Sequence, residues 1–389
     1  MGYETYALKD IGDIVSGATP KTSESENFGG NIAWITPADL SGYSEKYISY
    51  GARNLTQKGY DSCSTQLMPP GTVLFSSRAP IGYVAIAKNP VCTNQGFKSV
   101  VPKPWVNSEF LYYQLIYLRK TIQNMGSGTT FKEISATKFG SVQVIAPPLE
   151  EQERIVSRIE ELFSQLDASV AELKTAKGRL KVYRQAVLKK AFDQCKEFVP
   201  LSSLGDLGRG KSKHRPRNDP ALFEDGKYPF IQTGDVKAAS KYITGCSKMY
   251  GPLGLQQSKL WPKGTLCITI AANIAETAFL GIDACFPDSV VGFTPQENVL
   301  PEYIRFFIES QKQRLWAFAP ATAQKNINLD TLEKLMIPYC PVDEQQAIIR
   351  DTDSKITICD NIEQTIDTSL QQAEALRQSI LKKAFEGVL

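Results

Sequence analysis

Arg184-Gln185-Ala186-Val187-Leu188-Lys189-Lys190-Ala191-Phe192 returns 193 positions later as Arg377-Gln378-Ser379-Ile380-Leu381-Lys382-Lys383-Ala384-Phe385. The same offset carries Pro148-Leu149-Glu150-Glu151-Gln152 onto Pro341-Val342-Asp343-Glu344-Gln345, and Met68-Pro69-Pro70-Gly71-Thr72 onto Trp261-Pro262-Lys263-Gly264-Thr265. It also carries Glu109-Phe110-Leu111 onto Glu302-Tyr303-Ile304, and Ile11-Gly12-Asp13-Ile14 onto Leu204-Gly205-Asp206-Leu207. One offset shared by separated patches marks a tandem duplication, and a repeat read first decides the fold.

The opening stretch closes a long helix. Ile159, Leu166, Leu173, Leu180 and Val187 recur every seven residues, with Ile155, Leu162, Ala176 and Tyr183 on a second seam. That is a coiled-coil pattern. Pro147 and Pro148 open the helix, Glu150, Glu151 and Glu153 fill its first turn, and Lys189 and Lys190 close it, all in keeping with the helix dipole. The second copy carries Ile362, Ile366, Ala373, Leu376 and Ile380, with acids at 343 and 344 and lysines at 382 and 383. About 40 helical residues span about 60 Å. Residues 150–172 hold seven acids and two bases, whereas 174–190 hold seven bases and no acid; 343–367 again hold seven acids and two bases. Antiparallel pairing sets basic halves beside acidic halves, and parallel pairing sets like against like.

Before each helix lies a stretch rich in Gly, Pro, Thr and aromatics, with short apolar runs such as Gly71-Thr72-Val73-Leu74-Phe75 and Gly264-Thr265-Leu266-Cys267-Ile268 that read as strands. Helices are expected over 108–123 and 301–314. The expected organisation is therefore α+β: two globular α/β domains, 1–147 and 195–340, separated by two long antiparallel coiled-coil helices, 148–194 and 341–389, with pseudo-two-fold symmetry.

At 389 residues, 42% hydrophobic and 22% charged, the chain can build real cores. No eighteen-residue apolar run occurs, and the N-terminal residues lack a basic stretch followed by an apolar one, so neither a membrane span nor a secretory signal is expected. The eight cysteines form no C-x-x-C pair and read as reduced thiols in a cytoplasm. A net charge of +3 proves no nucleic-acid partner; the argument must come from where charges sit.

Antiparallel helices from a duplicated chain imply two globular ends related by a two-fold axis, the symmetry with which repressor dimers read two half-sites. Here the halves have diverged, so two different half-sites separated by unread bases are expected. The chain resembles the specificity subunits of type I restriction–modification systems over essentially its full length. The marks are Ala146-Pro147-Pro148-Leu149-Glu150-Glu151-Gln152 with Cys340-Pro341-Val342-Asp343-Glu344-Gln345-Gln346, and Leu8…Ile11-Gly12-Asp13-Ile14…Gly17 with Leu201…Leu204-Gly205-Asp206-Leu207…Gly210. A further mark is the loop Gly126-Ser127-Gly128-Thr129-Thr130-Phe131-Lys132, whose second copy keeps Thr322 and Lys325 but loses the glycines. The resemblance implies two target-recognition domains on double-stranded DNA, two docked methyltransferase subunits and, in the fuller complex, restriction subunits. S-adenosylmethionine, magnesium and ATP would then be cofactors of those partners, and this chain would need none.

Phosphates call for Lys, Arg, hydroxyls and main-chain amides, and base edges for Arg, Lys, Asn, Gln, Ser and Thr. The densest cluster is Arg209, Lys211, Lys213, Arg215 and Arg217, five fixed charges within nine residues. Its first-half counterpart, containing Lys21 and Thr22, is far less basic. Further candidates are Arg78; Asn94, Gln95 and Lys98; and Thr129, Thr130 and Lys132. Their rough second-half counterparts are Gln232 and Thr233; Asn273; and Thr322, Gln324, Lys325 and Asn326. Each competes with an ordinary hydrogen-bonded loop, and the recurring pairs Thr129/Thr322 and Lys132/Lys325 stand above the rest. Trp34, Tyr43, Tyr47 and Tyr83 read as core.

Gly205 to Ser212 matches the phosphate-loop pattern letter for letter, but such a loop needs an apolar strand before it and a helix after it. Pro200 and two serines precede it here, and Pro216 and Pro220 follow too closely. No Asp/Asn-Pro-Pro-Tyr/Phe methyltransferase signature occurs. A nuclease of the Pro-Asp type could start only at Pro287-Asp288, and no Asp/Glu-x-Lys follows before Gln311. One histidine, His214, leaves no room for a His-rich metal site or most catalytic triads. The expectation is a non-catalytic DNA-recognition subunit, the alternative a coiled-coil adaptor whose globular ends bind proteins.

Overall fold

In the computed structural model, residues 3–78, 80–128, 132–318 and 326–388 are described. Two compact units form: Met1–Leu173 with Thr368–Leu389, and Lys174–Asp367.

Within the first unit a five-stranded sheet runs Gly12–Ser16, Lys98–Pro102, Val73–Phe75, Val84–Ala87, Tyr47–Ile48. All neighbours are antiparallel except the last pair. The second unit repeats that order as Gly205–Arg209, Val290–Pro295, Leu266–Thr269, Thr277–Leu280, Tyr242–Ile243. Register repeats as well: Gly12 faces Pro102 as Gly205 faces Pro295, and Val73 faces Ile86 as Leu266 faces Phe279.

The apolar runs form strands buried on both faces. Val73, Phe75 and Val100 pack with Leu111 and Leu115, while the intervening Leu74 packs with Ile35, Leu40 and Phe97. Alternate residues of a strand point to opposite faces, so a continuous apolar run is what a doubly covered strand requires. In the second unit Leu266 and Ile268 likewise join one cluster and Cys267 the other. The repeated Pro-x-Gly-Thr is the turn into this strand: Gly71 and Gly264 take φ of 85° and 90°. The hydroxyls of Thr72 and Thr265 donate to the carbonyls of Pro69 and Pro262, each at 2.7 Å.

A two-stranded ribbon joins the ends of each globular part, Thr5–Ala7 with Gln143–Ile145 and Glu197–Pro200 with Met336–Tyr339. The helices expected over 108–123 and 301–314 form in two pieces: Ser108–Tyr117 and Arg119–Met125, then Pro301–Ser310 and Lys312–Phe318. The break falls at Leu118 and Gln311, whose main-chain N–H groups keep the carbonyl four residues back and share with nearer ones, tightening the last turn.

The long helices are Leu149–Lys190 and Val342–Phe385. Inside the second unit Lys177 pairs with Asp367 at 2.6 Å and Arg184 with Asp360. Seven residues up one helix match seven down the other, so the two run antiparallel there. Inside the first unit Arg377 pairs with Asp167 and lies over the Phe163 ring, while Ile155, Val156 and Ile159 pack against Ile380, Leu381 and Ala384. The direction is again antiparallel. The seam differs in detail from the heptad reading. Tyr183, Ile362 and Leu376 are 52%, 44% and 51% exposed, and Lys177, Arg184 and Arg377 occupy the neighbouring seam positions. The second contact stripe follows the first by four residues rather than three, so Lys177, Arg184 and Arg377 come four residues after Leu173, Leu180 and Ala373, and the seven-residue period is kept.

The globular part of the first unit is tied to the helices by polar as well as apolar contacts. Lys46 Nζ lies 2.6 Å from Glu109 Oε1 and also meets Glu160, while the Tyr47 hydroxyl donates to Glu109 at 2.6 Å. Burial and the Glu109 charge push the Tyr47 phenol up to about 12. Tyr43 and Tyr47 are therefore partly exposed participants in a polar edge, a correction to their reading as core; Trp34 is buried as expected. Lys241 and Glu302 form the corresponding ion pair in the second unit at 3.3 Å.

Candidate nucleic-acid interface

At one end of each five-stranded sheet the strand-connecting loops meet, and one glycine fixes how closely they do so. A Cβ on Gly17 would stand 2.1 and 2.2 Å from the carbonyl oxygens of Thr93 and Asn94; a Cβ on Gly210 would stand 2.3 Å from those of Phe286 and Pro287. Both are the same pinch, displaced by the repeat offset. Gly17→Ala and Gly210→Ala are each expected to cost about 2–3 kcal/mol, because main chain must move to admit the methyl group. Urea unfolding of the full chain measures this, and a cost below about 0.5 kcal/mol would show the loops free to part.

Beyond the pinch the units differ. Gly17 to Trp34 spans 17 positions and Gly210 to Phe230 spans 20, the ends being matched by the pairing of Trp34 with Cys92 and of Phe230 with Cys285. The loop is thus three residues longer in the second unit, and it carries the basic cluster. Its main chain is pinned: Ser258 Oγ donates to the Lys211 carbonyl at 2.9 Å, and Gln257 Oε1 accepts from the N–H groups of Lys213 and His214 at 2.6 and 3.0 Å. The Arg215 guanidinium donates to the carbonyls of Ser212 and His214 at 2.6 and 2.8 Å. Arg209 donates to the Asp288 carbonyl, and Arg217 Nη2 lies 2.8 Å from Asp288 Oδ2. Lys211 and Lys213 are exposed and form no ion pair among the described residues. The lone His214 faces Asp219 at 2.7 Å, and the ring together with the Ala221 N–H holds that carboxyl below its usual range.

Gln232 opens the short helix Thr233–Ala238, its main-chain N–H donating to Asp235 at 2.7 Å. With Thr233 it borders a cleft of about 270 Å³ shared with Arg217. Asn273 sits in the turn between two sheet strands, its side chain 3.5 Å from Lys237.

In the first unit Arg78 and Glu133 face each other across an isolated bridge, and Ile134 N–H donates to the Ser77 carbonyl at 3.0 Å. Arg78 and Lys98 each approach the Glu133 carboxylate to 3.9 Å. Lys98 is only 8% exposed. Burial pulls its ammonium below the usual lysine value, Glu133 opposing and Arg78 reinforcing the shift. Its burial takes it out of reach of a DNA backbone, a correction to its place among the candidate contacts. Lys132, next to Glu133 in the chain, is exposed. Asn94 Oδ1 accepts from the Gly96 N–H at 2.9 Å, and Gln95 accepts from the Thr19 hydroxyl. Lys21 pairs loosely with Glu24 at 3.3 Å, and Thr22 is exposed beside it.

The counterparts across the repeat need revision. Ala271 bridges Asn326 and Ile327 N–H donates to the Ile270 carbonyl at 2.9 Å, which makes Ala271 the partner of Arg78 and Asn326 that of Glu133. Gln232 instead corresponds to Thr36, since Thr36–Asp39 and Gln232–Asp235 are matching capping boxes. Thr129, Thr130, Thr322, Gln324 and Lys325 lie outside the described residues. Sequence reasoning missed Glu133, Asp288 and Gln257; acids and amides that steady cations carry no local signal, though Pro287-Asp288 had stood out as a possible nuclease start.

The phosphate-loop match is a strand, Gly205–Arg209, followed by an irregular loop up to the single turn Pro220–Leu222. No amide-lined helix start exists there to cradle phosphates. Among the described residues no group of three His, Cys, Asp or Glu side chains could hold a metal ion, and no helix is long and apolar enough to cross a membrane.

Each unit also has a groove between its two helix segments. In the second unit about 520 Å³ is bordered by Tyr183, Val187 and Lys190; in the first, about 530 Å³ by Leu376, Ile380 and Lys383, the same three positions one repeat later.

The chain matches the model of the family described as "Type I restriction modification DNA specificity domain" over residues 1–176 and again over 196–372. It is 35% identical over 252 residues to the type I restriction enzyme MjaIX specificity subunit of Methanocaldococcus jannaschii, a match covering 59% of this chain and 57% of that protein. It is 24% identical to the EcoBI specificity subunit of Escherichia coli, over 98% of this chain and 85% of that one. Among solved structures, a chain described under complex assembly and conformational transition of the type I R-M system superposes with a TM-score of 0.79 at 19% identity, covering 100% of this chain and 98% of the other. The HsdS subunit from Thermoanaerobacter tengcongensis does so with 0.57 at 18% identity, covering 100% and 97%. At those identities the likeness is one of fold.

Proposed function

The chain belongs to the type I restriction modification DNA specificity family, and from that premise we propose that it is the DNA-recognition subunit of a type I restriction–modification complex. Residues 1–147 and 195–340 each read one half of a bipartite, asymmetric site, and 148–194 and 341–389 are the long helical segments that follow them. One observation carries this reading: two copies of one scaffold, with the same pinch at Gly17 and Gly210, present different polar groups at matching places. Arg78 and Glu133 stand where the other copy has Ala271 and Asn326. A shared fold with unlike surfaces suits two unlike half-sites, since base edges are told apart by the donors and acceptors brought to them.

The matching grooves beside Tyr183 and Leu376 suit two copies of one partner, which we assign as methyltransferase subunits, with restriction subunits joining the fuller assembly in the cytoplasm. The chain itself is the non-catalytic component. S-adenosylmethionine, magnesium and ATP belong to the partners, and adenine methylation and cleavage are reactions of the complex.

The test is binding of the full chain to duplex DNA across a salt series. A protein that neutralises several phosphates loses affinity with a log–log slope of about −5 or steeper; a protein-binding adaptor shows no such slope. Selection from randomised duplexes should return two short conserved blocks around unread bases. Turnover by the chain alone with DNA, magnesium and S-adenosylmethionine would defeat the non-catalytic assignment.

A further inference from the structure

We infer that Arg217 recognises a guanine in the half-site of the second unit, with Asp288 holding its guanidinium in reading position; the inference rests on the DNA-recognition reading above. Arg217 is half exposed, its Nη2 2.8 Å from Asp288 Oδ2. It borders the 270 Å³ cleft with Asn218, Gln232, Thr233 and Ser289, all side-chain types that hydrogen-bond base edges.

The argument turns on what a carboxylate does beside an arginine. A phosphate-gripping cation works by uncompensated charge, and a carboxylate in hydrogen-bond contact both cancels that charge and repels the phosphate. A base-reading arginine needs its plane fixed so that two N–H groups meet the O6 and N7 of guanine together. One carboxylate contact supplies that orientation and leaves the rest of the five-donor fork for the base.

Neighbouring cations of the same loop divide the work accordingly. Lys211 and Lys213 form no ion pair among the described residues, and Arg215 donates to neutral carbonyls and keeps its charge. These grip phosphate, and Arg217 reads. In the first unit the position matching Asp288 is Gln95, which accepts from the Thr19 hydroxyl, and the shorter loop has no counterpart of Arg217. The contact is therefore a property of the second unit's own sequence, not of the scaffold.

The test uses the full-length chain, unmodified and as Arg217→Ala, Arg217→Lys and Asp288→Asn, each selected against a pool of randomised duplexes at 0.1 M salt. Arg217→Ala should lose preference at a single base pair, the base preferred by the unmodified chain being guanine. Affinity for the preferred duplex should fall about 10- to 100-fold, with scrambled duplexes bound nearly as before. Lysine should not restore the preference. Asp288→Asn should weaken the preferred duplex severalfold while tightening scrambled ones. A 7-deazaguanine at that position, which removes the N7 acceptor, should weaken the unmodified chain about tenfold and leave Arg217→Ala indifferent; half of this comparison needs no variant to fold.

The inference is overturned if Arg217→Ala weakens all duplexes alike with a salt slope shallower by about 1, the mark of a phosphate contact. It is overturned equally by an unchanged base preference, or by a lost base other than guanine. An unmodified chain that selects no sequence defeats the DNA-recognition reading itself; one that selects a bipartite site while Arg217→Ala selects the same site defeats this inference alone.

Discussion

Replacing Gln152 with leucine is expected to destabilise the first unit by about 3–5 kcal/mol, although the glutamine touches no other side chain's charge. Gln152 is fully buried. Its Oε1 accepts from the Asn107 N–H at 2.8 Å, and its Nε2 donates to the carbonyls of Trp105 and Pro147 at 3.0 and 2.7 Å. The side chain thereby bonds the start of the long helix to the loop that leads into the helix Ser108–Tyr117. Leucine fills the volume but leaves three main-chain groups, one buried and two part-buried, without these partners, each costing about 1–3 kcal/mol, less what the added apolar burial returns. Gln345 makes the same three contacts one repeat later, to Leu300 N–H at 2.9 Å and to the carbonyls of Asn298 and Cys340 at 3.2 and 2.9 Å. Gln345→Leu should therefore cost the second unit a similar amount. Chemical denaturation read by hydrogen exchange assigns each loss to its unit, and a cost under 1 kcal/mol in both would mean that water reaches these groups.

The second large effect is on DNA. With Lys211, Lys213, Arg215 and Arg217 all changed to alanine, affinity for duplex at 0.1 M salt should fall about 100-fold or more. The geometry refines the accompanying change in salt dependence. Four phosphate contacts would flatten the log–log slope by roughly 4 × 0.9. Because Asp288 compensates Arg217, the expected flattening is about 2 to 3. An unchanged slope would remove the loop from the interface. Lys132→Ala, in the other unit, should weaken one half-site only, about threefold, without altering the base preferences of the other.

Why some of this was legible and some was not follows from the range of the interactions involved. Arg184–Phe192 and its copy revealed the duplication because sequence identity survives at a fixed offset. The ends of the long helices were readable because caps and first- and last-turn charges act within a few residues. Their antiparallel direction followed from charge polarity, and Lys177–Asp367, Arg184–Asp360 and Asp167–Arg377 are the pairs that express it. The strands at 73–75 and 266–269 declared themselves by unbroken apolar runs between turns.

Other features needed the folded chain. A heptad count places Ala176 and Tyr183 on the seam, but Lys177 and Arg184 lie there with the same period of seven, and only the partner helix decides which is buried. Gln152 and Gln345 stood within a recurring motif, yet their task depends on main-chain groups some 45 residues away in sequence. Glu133 and Asp288 turn neighbouring arginines from free charges into held ones, and Lys98 becomes buried, through contacts that no local pattern encodes. Periodicity, capping and charge polarity act between near neighbours and are written along the chain. Desolvation, long-range hydrogen bonds and the pairing of acids with bases arise only when distant segments are brought within a few ångströms, and the folded units supplied them.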